Sequence, residues 1–214
     1  MPIAPFAALL TMSLTTSFTS APAIASAPST LPPMTISVVA ASDIPSSLIT
    51  AALKEADAIW RAAGIRFTWD RHDGAGPFAA RVIIGGGQSN LENGKLALGW
   101  IVLDDEYAGM PQIYLSHGNA QALLNESRGV VGHVSQMPIA QREAYMARAM
   151  GRALAHEMGH FLSGSKVHAA AGLMMAVHSA AELFGPERRR FEMTPAEEQR
   201  MAARFTSIYI ASRN

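Results

Sequence analysis

From residue 34 onward the apolar positions follow two periods in turn. Met34 to Ala41, with Ile36, Val38 and Val39, reads as a strand. Pro45 to Ala63 places Leu48, Ile49, Ala52, Leu53, Ala56, Ile59, Trp60 and Ala63 at three- and four-residue steps, which predicts an amphipathic helix. Ser42 or Asp43 is positioned to cap its start, and Gly64 to stop it in a left-handed conformation. Ile65, Phe67 and Trp69 alternate as a second strand, and Asp70 to Pro77 is a turn-rich loop. Arg81 to Ile84 is a short third strand that ends at Gly85-Gly86-Gly87. That triple glycine lacks the spacing and the Lys-Ser/Thr of a phosphate cradle, so it reads as a loop. Leu98 to Leu103 and Gln112 to Leu115 are the fourth and fifth strands. Asn119 to Gln136 reads as loop with a short helical piece, Pro138 to Leu162 as a long helix, and Ser163 to Pro186 as largely irregular. Thr194-Pro195-Ala196-Glu197 is a capping box with proline at the first helical position, and it opens a closing helix to about Ile210.

The resulting order is β-α-β-β-β-β-α-loop-α. It predicts an α+β (mixed α/β) domain: a twisted five-stranded mixed sheet with two helices on one side. The first two strands should be parallel, joined by a right-handed crossover.

Composition adds a leader. Met1 to about Pro33 is rich in Ala, Ser, Thr and Pro and has no charged side chain. Phe6 to Leu14 is a short apolar stretch, and Ala23-Ile24-Ala25 before Ser26 matches a signal-peptidase site. Residues 1–33 are therefore expected to be a signal peptide and short leader, despite an n-region without Lys or Arg, and residues 34–214 the functional domain. The expected location is secreted or periplasmic. No later segment approaches the 18 or so apolar residues of a membrane span, so stable insertion is not expected. Lys+Arg and Asp+Glu are 17 each, which removes the basic surplus of a nucleic-acid binder. Arg188-Arg189-Arg190, flanked by Glu187 and Glu192, reads as a solvated loop. The chain has no cysteine, so any metal must be held by His, Asp or Glu.

The chemistry is concentrated in His156-Glu157-Met158-Gly159-His160. Met146, Met150, Leu154, Met158 and Phe161 repeat at helical steps, and from Ala149 to Leu162 only Arg152 and Glu157 are charged apart from the histidines. This part of the helix is predicted to be buried. His156 and His160 stand one above the other on one face, at a spacing that lets both imidazoles reach one Zn²⁺. Glu157 lies beside the pair and is placed to take a proton from water activated by the metal. A hydrolytic zinc site has three protein ligands and an open position. Candidates for the third are His168, His178 and Glu182 downstream, and His133 and His117 upstream.

The run from His156 resembles the metzincins, a branch of the zincin metallopeptidases. Their motif is H-E-x-x-H-x-x-G-x-x-H followed by a Met-turn. Here Gly164 falls one residue late and His168 two residues late, and Gly172-Leu173-Met174-Met175 resembles the Met-turn, with Met174 as its methionine. The resemblance implies one zinc per chain on His156, His160 and His168, with Glu157 as general base. It also implies peptide or protein substrates. The strand Leu98 to Leu103 would then form the upper edge of the cleft, with Trp100 facing cleft or core and more naturally core. The acidic run Asp104-Asp105-Glu106 just beyond reads as a solvated turn, with attraction of a basic substrate or calcium as the alternative. His178 is the nearest candidate for a second oxyanion donor. Three alternatives stay open: a gluzincin-type site with Glu182 as third ligand, a non-catalytic zinc-stabilised binding domain of peptidase ancestry, and a metal-dependent hydrolase acting on something other than peptides.

Overall fold

The computed structural model describes residues 33–72, 79–85, 96–103 and 110–211. The expected leader, Gly86 and Gly87, most of the 70–77 loop and the acidic run 104–106 lie outside the described residues. Strands are β1 (Met34–Ala40), β2 (Phe67–Asp70), β3 (Ala80–Gly85), β4 (Gly99–Val102) and β5 (Gln112–Ser116). Helices are α1 (Ser46–Ala62), α2 (His117–Glu126), α3 (Arg128–Val131), α4 (Ile139–Ser163), α5 (Ala180–Phe184) and α6 (Pro195–Ala211). Among the described residues, no helix is long and apolar enough to cross a membrane.

The expected mixed five-stranded sheet forms, in the order β2-β1-β3-β5-β4. β1 is parallel to β2 and β3, and β3 to β5; β4 runs antiparallel to β5. Alternation within the strands builds one apolar layer. Ile36 pairs with Ala80, Val38 with Val82, Val82 with Ile113, and Ile113 with Ile101. All of these are buried and join one core with α1 and α4. Trp100 stays out of that core. It is half-buried and stacks flat on its registered partner Tyr114, with centroids 5.2 Å apart and planes 5° apart, while Ile101 takes the inward position.

Three local expectations need correction. α1 starts at Pro45 with no side-chain cap, so neither Ser42 nor Asp43 caps it, although Gly64 follows its last turn with φ 77° as expected. The region 119–136 is more helical than its pattern suggested. β5 runs straight into α2, whose N-cap is Ser116, accepting from the Asn119 amide at 3.1 Å. Within 163–186, Ser179 and Glu182 form a second capping box that starts α5. The box at Thr194 and Glu197 is present, with Pro195 opening α6.

α1 and α4 are clamped together at one point. A Cβ on Gly151 would stand 2.5 Å from the Ala52 carbonyl oxygen and 2.6 Å from Glu55 Cβ. Beside that contact the Trp60 indole donates to the Ala155 carbonyl at 3.2 Å, and Arg152 Nε donates to Glu55 Oε1 at 3.0 Å. A buried charge left alone costs several kcal/mol, so this ion pair ties the helices in a single register. Crowding at Gly151 costs about 1–3 kcal/mol, against a gain of roughly 1 kcal/mol from helix propensity. The obstructing atom is backbone and cannot rotate away. Gly151→Ala is therefore expected to unfold at lower urea than wild type, followed by far-UV circular dichroism; an unchanged or higher midpoint would contradict the clamp.

Candidate metal centre

The second half of α4 is buried almost all round, and His156 and His160 project from it one turn apart. Gly164 ends the helix at φ 61°, a conformation that glycine takes without strain. The chain then doubles back. The Ala169 amide donates to the Met174 carbonyl at 2.8 Å, and Ala169 bridges Met175 in parallel. Closed this way, the loop returns His168 to the helix. The three rings lie with centroids 4.6, 5.2 and 4.9 Å apart, and one nitrogen from each falls within 4.8 Å of the others. Among the described residues this is the group of metal-capable side chains that converges.

Backbone carbonyls fix the tautomers. His156 Nδ1 lies 2.9 Å from the Leu173 carbonyl oxygen, and His160 Nδ1 lies 2.7 Å from that of Ser165. A carbonyl only accepts, so both Nδ1 atoms carry hydrogen. Burial lowers the affinity of both rings for a second proton and takes His156 down to about 4. Each Nε2 therefore presents a lone pair, and the two sit 3.0 Å apart. Two acceptors facing at that distance repel unless a cation lies between them. Tetrahedral zinc with bonds of about 2.0–2.1 Å needs ligand nitrogens roughly 3.3 Å apart. The donor set fits zinc.

Met174 closes the floor. A Cβ on Gly159, between the two histidines, would stand 2.2 Å from Met174 Sδ, so the thioether packs directly on the helix backbone. It rests in a turn in which the Met175 amide donates to the Gly172 carbonyl at 3.2 Å. Glu157 is only 8% exposed, and burial pushes its carboxyl up to about 7, opposed by the charge of Lys166. β4 passes close by: a Cβ on Gly99 would lie 3.1 Å from Glu157 Cγ. Between β4 and the 166–178 segment opens a cleft of about 790 Å³, lined by the triad and Glu157.

This geometry occurs on a known fold. A solved archaemetzincin from Methanopyrus kandleri superimposes with a TM-score of 0.50, over 81% of this chain and 96% of that one, at 12% sequence identity. The two share a fold. No protein-family model and no curated protein sequence matches the chain. On that shared fold the three histidines form a group that could hold a metal ion.

The other sequence candidates lie elsewhere. The Glu182 carboxylate accepts from the Ser179 amide at 2.8 Å and from its hydroxyl at 3.0 Å, and pairs with Arg190 at 3.5 Å. Those hydrogen bonds hold its carboxyl below the usual range, and it is not one of the converging side chains. His117 opens α2, and His133 is exposed before a 3-10 turn; neither joins the triad. His178 lines the cleft with its ring over Phe191, 4.5 Å between centroids.

Arg152 carried no role in the sequence analysis. It sits one turn before His156, fully buried, and lines the same cleft. Besides Glu55, it donates through Nη1 to the Glu182 and Leu183 carbonyls. Its partner Glu55 accepts on Oε2 from Arg188 Nε and Nη2 at 3.0 and 2.6 Å. One signal was available: Glu55 falls three residues after Ala52 and four before Ile59, so it lies on the apolar stripe of α1, where a charge needs a buried partner.

Proposed function

We infer that the protein is a zinc metallopeptidase, with His156, His160 and His168 as metal ligands and Glu157 as general base. The single observation that carries this reading is the pair of opposed Nε2 lone pairs 3.0 Å apart, with a third imidazole beside them. The archaemetzincin fold supports it. Zinc on the triad would supply Lewis-acid polarisation of water and of the scissile carbonyl.

The chain supplies the remaining parts. The Leu173 and Ser165 carbonyls hold two imidazoles in the tautomer that leaves Nε2 free. Met174 supports the helix between them. Glu157 accepts a proton from the attacking water and returns it to the leaving amine. Burial raises its affinity for a proton, which suits a group that takes one from water and passes it on. Lys166 steadies the anionic form of Glu157. β4 borders the cleft and has no strand on its outer side among the described residues, so it offers backbone groups to an extended peptide. A carboxylate kept dry beside the triad is what hydrolysis requires, and a purely structural metal site has no use for it.

Glu157→Gln is expected to retain zinc, measured by elemental mass spectrometry, and to lose about 10²–10⁴-fold in cleavage of a fluorogenic peptide library. Cleavage surviving intact would defeat the mechanism. His168→Ala is expected to lose most of its metal. Glu182→Ala should keep it while losing about 0.5–2 kcal/mol of stability with the cap of α5. The reverse pattern would make Glu182 the ligand. Because the metal binds only the folded chain, chelation is expected to lower the melting temperature and added zinc to restore it.

A further inference from the structure

The inner end of the cleft holds polar atoms that catalysis does not use. Arg152 Nη2 is buried and has no hydrogen-bond partner, although the rest of the guanidinium is fully engaged. Both ring nitrogens of His178 are likewise buried without one. Close to His178 stand the Leu173 carbonyl, which also accepts from His156, and the Glu182 carboxylate, 3.9 Å away. Arg152 and His178 both line the cleft, with Leu183 and Phe191 as apolar wall between and beneath them. Phe191 faces both, lying under the Arg152 guanidinium at 4.7 Å and against the His178 ring. Unpaired buried polar atoms of this kind are rare and costly, and three on one wall, the neutral imidazole supplying one donor and one acceptor, call for a partner.

Position and charge say which partner. Arg152, His156 and His160 follow at four-residue steps on one face of α4, so Arg152 stands about 6 Å along the axis from the first ligand. A side chain next to the scissile bond can span that distance. The local balance is cationic. Glu55 is shared between Arg152 and Arg188, and Arg148 lies close to Arg152. Glu182 is held by its cap and by Arg190. Apart from Glu157, the carboxylate lining the cleft is Glu126, which is exposed.

We propose that this inner end is a specificity pocket for a substrate carboxylate, bound by Arg152 Nη2 with the His178 ring as second donor. The proposal rests on the metallopeptidase reading above and adds the substrate class. The carboxylate belongs to an acidic side chain just beyond the scissile bond, or to the free C-terminus of a short product. A guanidinium edge and an imidazole suit either, because a carboxylate accepts from both at once.

The test uses full-length zinc-loaded protein, calorimetry and three probes: acetohydroxamate, glutarate monohydroxamate, and its primary-amide counterpart. The carboxylate arm is expected to bind about ten- to a hundredfold more tightly than the amide arm. His178→Phe, which keeps the apolar wall, should shrink that preference, and Arg152→Met should abolish it. Arg152→Met breaks a buried ion pair and can unfold the chain, so the comparison of the two arms on wild type decides by itself. Equal affinity for both arms, with acetohydroxamate binding intact, overturns the pocket and leaves the metallopeptidase reading standing. Loss of all hydroxamate binding by zinc-loaded protein overturns both. Two peptide sets then identify the source: Glu against Gln after the scissile bond in amidated peptides, and free acid against amide one residue after it. Faster cleavage of Glu in the first set assigns a side chain, and of the free acid in the second a terminus. No difference in either set overturns the proposal.

Discussion

Two lone pairs held face to face are the constraint around which this molecule is arranged. Their separation of 3.0 Å is repulsive for a protein alone, and two backbone carbonyls maintain it. One carbonyl comes from the residue after the αL exit of α4, the other from the turn that carries Met174. Both bind Nδ1, and so aim Nε2 at a common point. The loop from Gly164 to Met175 thus does three things with one path: it ends the helix, orients two imidazoles and brings in the third. Gly172 lets it close. Its φ is 78°, and a Cβ there would stand 2.5 Å from the Glu192 carbonyl.

The scaffold resists that repulsion through α4. α1 meets α4 at Gly151 with no room for a side chain, and the Glu55–Arg152 pair locks the register of the contact. Arg152 also reaches the carbonyls at the end of α5, and Arg188 reaches Glu55 from the far side. One buried charge network therefore connects the helix that bears His156 and His160 to the segment that walls the cleft. Arg152 belongs to this framework and to the cleft surface alike, which couples the shape of the cleft to the packing of the core.

Features set by neighbours in sequence were legible. The helical repeat of α4, the alternation of Ile65, Phe67 and Trp69, the HExxH face and the Thr194 capping box are all local, and the structure carries each of them. α2 was obscured because it has little apolar stripe, burying only Asn119, Ala120 and Leu124, and because β5 passes into it at Ser116 without a loop. The Ser179–Glu182 box has a readable spacing but sits in a Gly- and Ala-rich stretch that masks so short a helix. The approach of His168 was legible as a displaced motif, while its closure depends on the Ala169–Met174 hydrogen bond, which no spacing reveals. The Glu55–Arg152 pair spans 97 positions and becomes visible only once α1 lies on α4.

The placement of β4 carries a hazard of its own. A border strand that would welcome a substrate backbone would equally welcome any extended chain, including a second copy of this protein. Here the strand is four residues long, begins with glycine and runs counter to its neighbour. So brief a ladder would give a chance partner few hydrogen bonds. A ligand that also engaged a metal on the triad would gain an anchor that a passing strand lacks, which would separate substrate binding from aggregation.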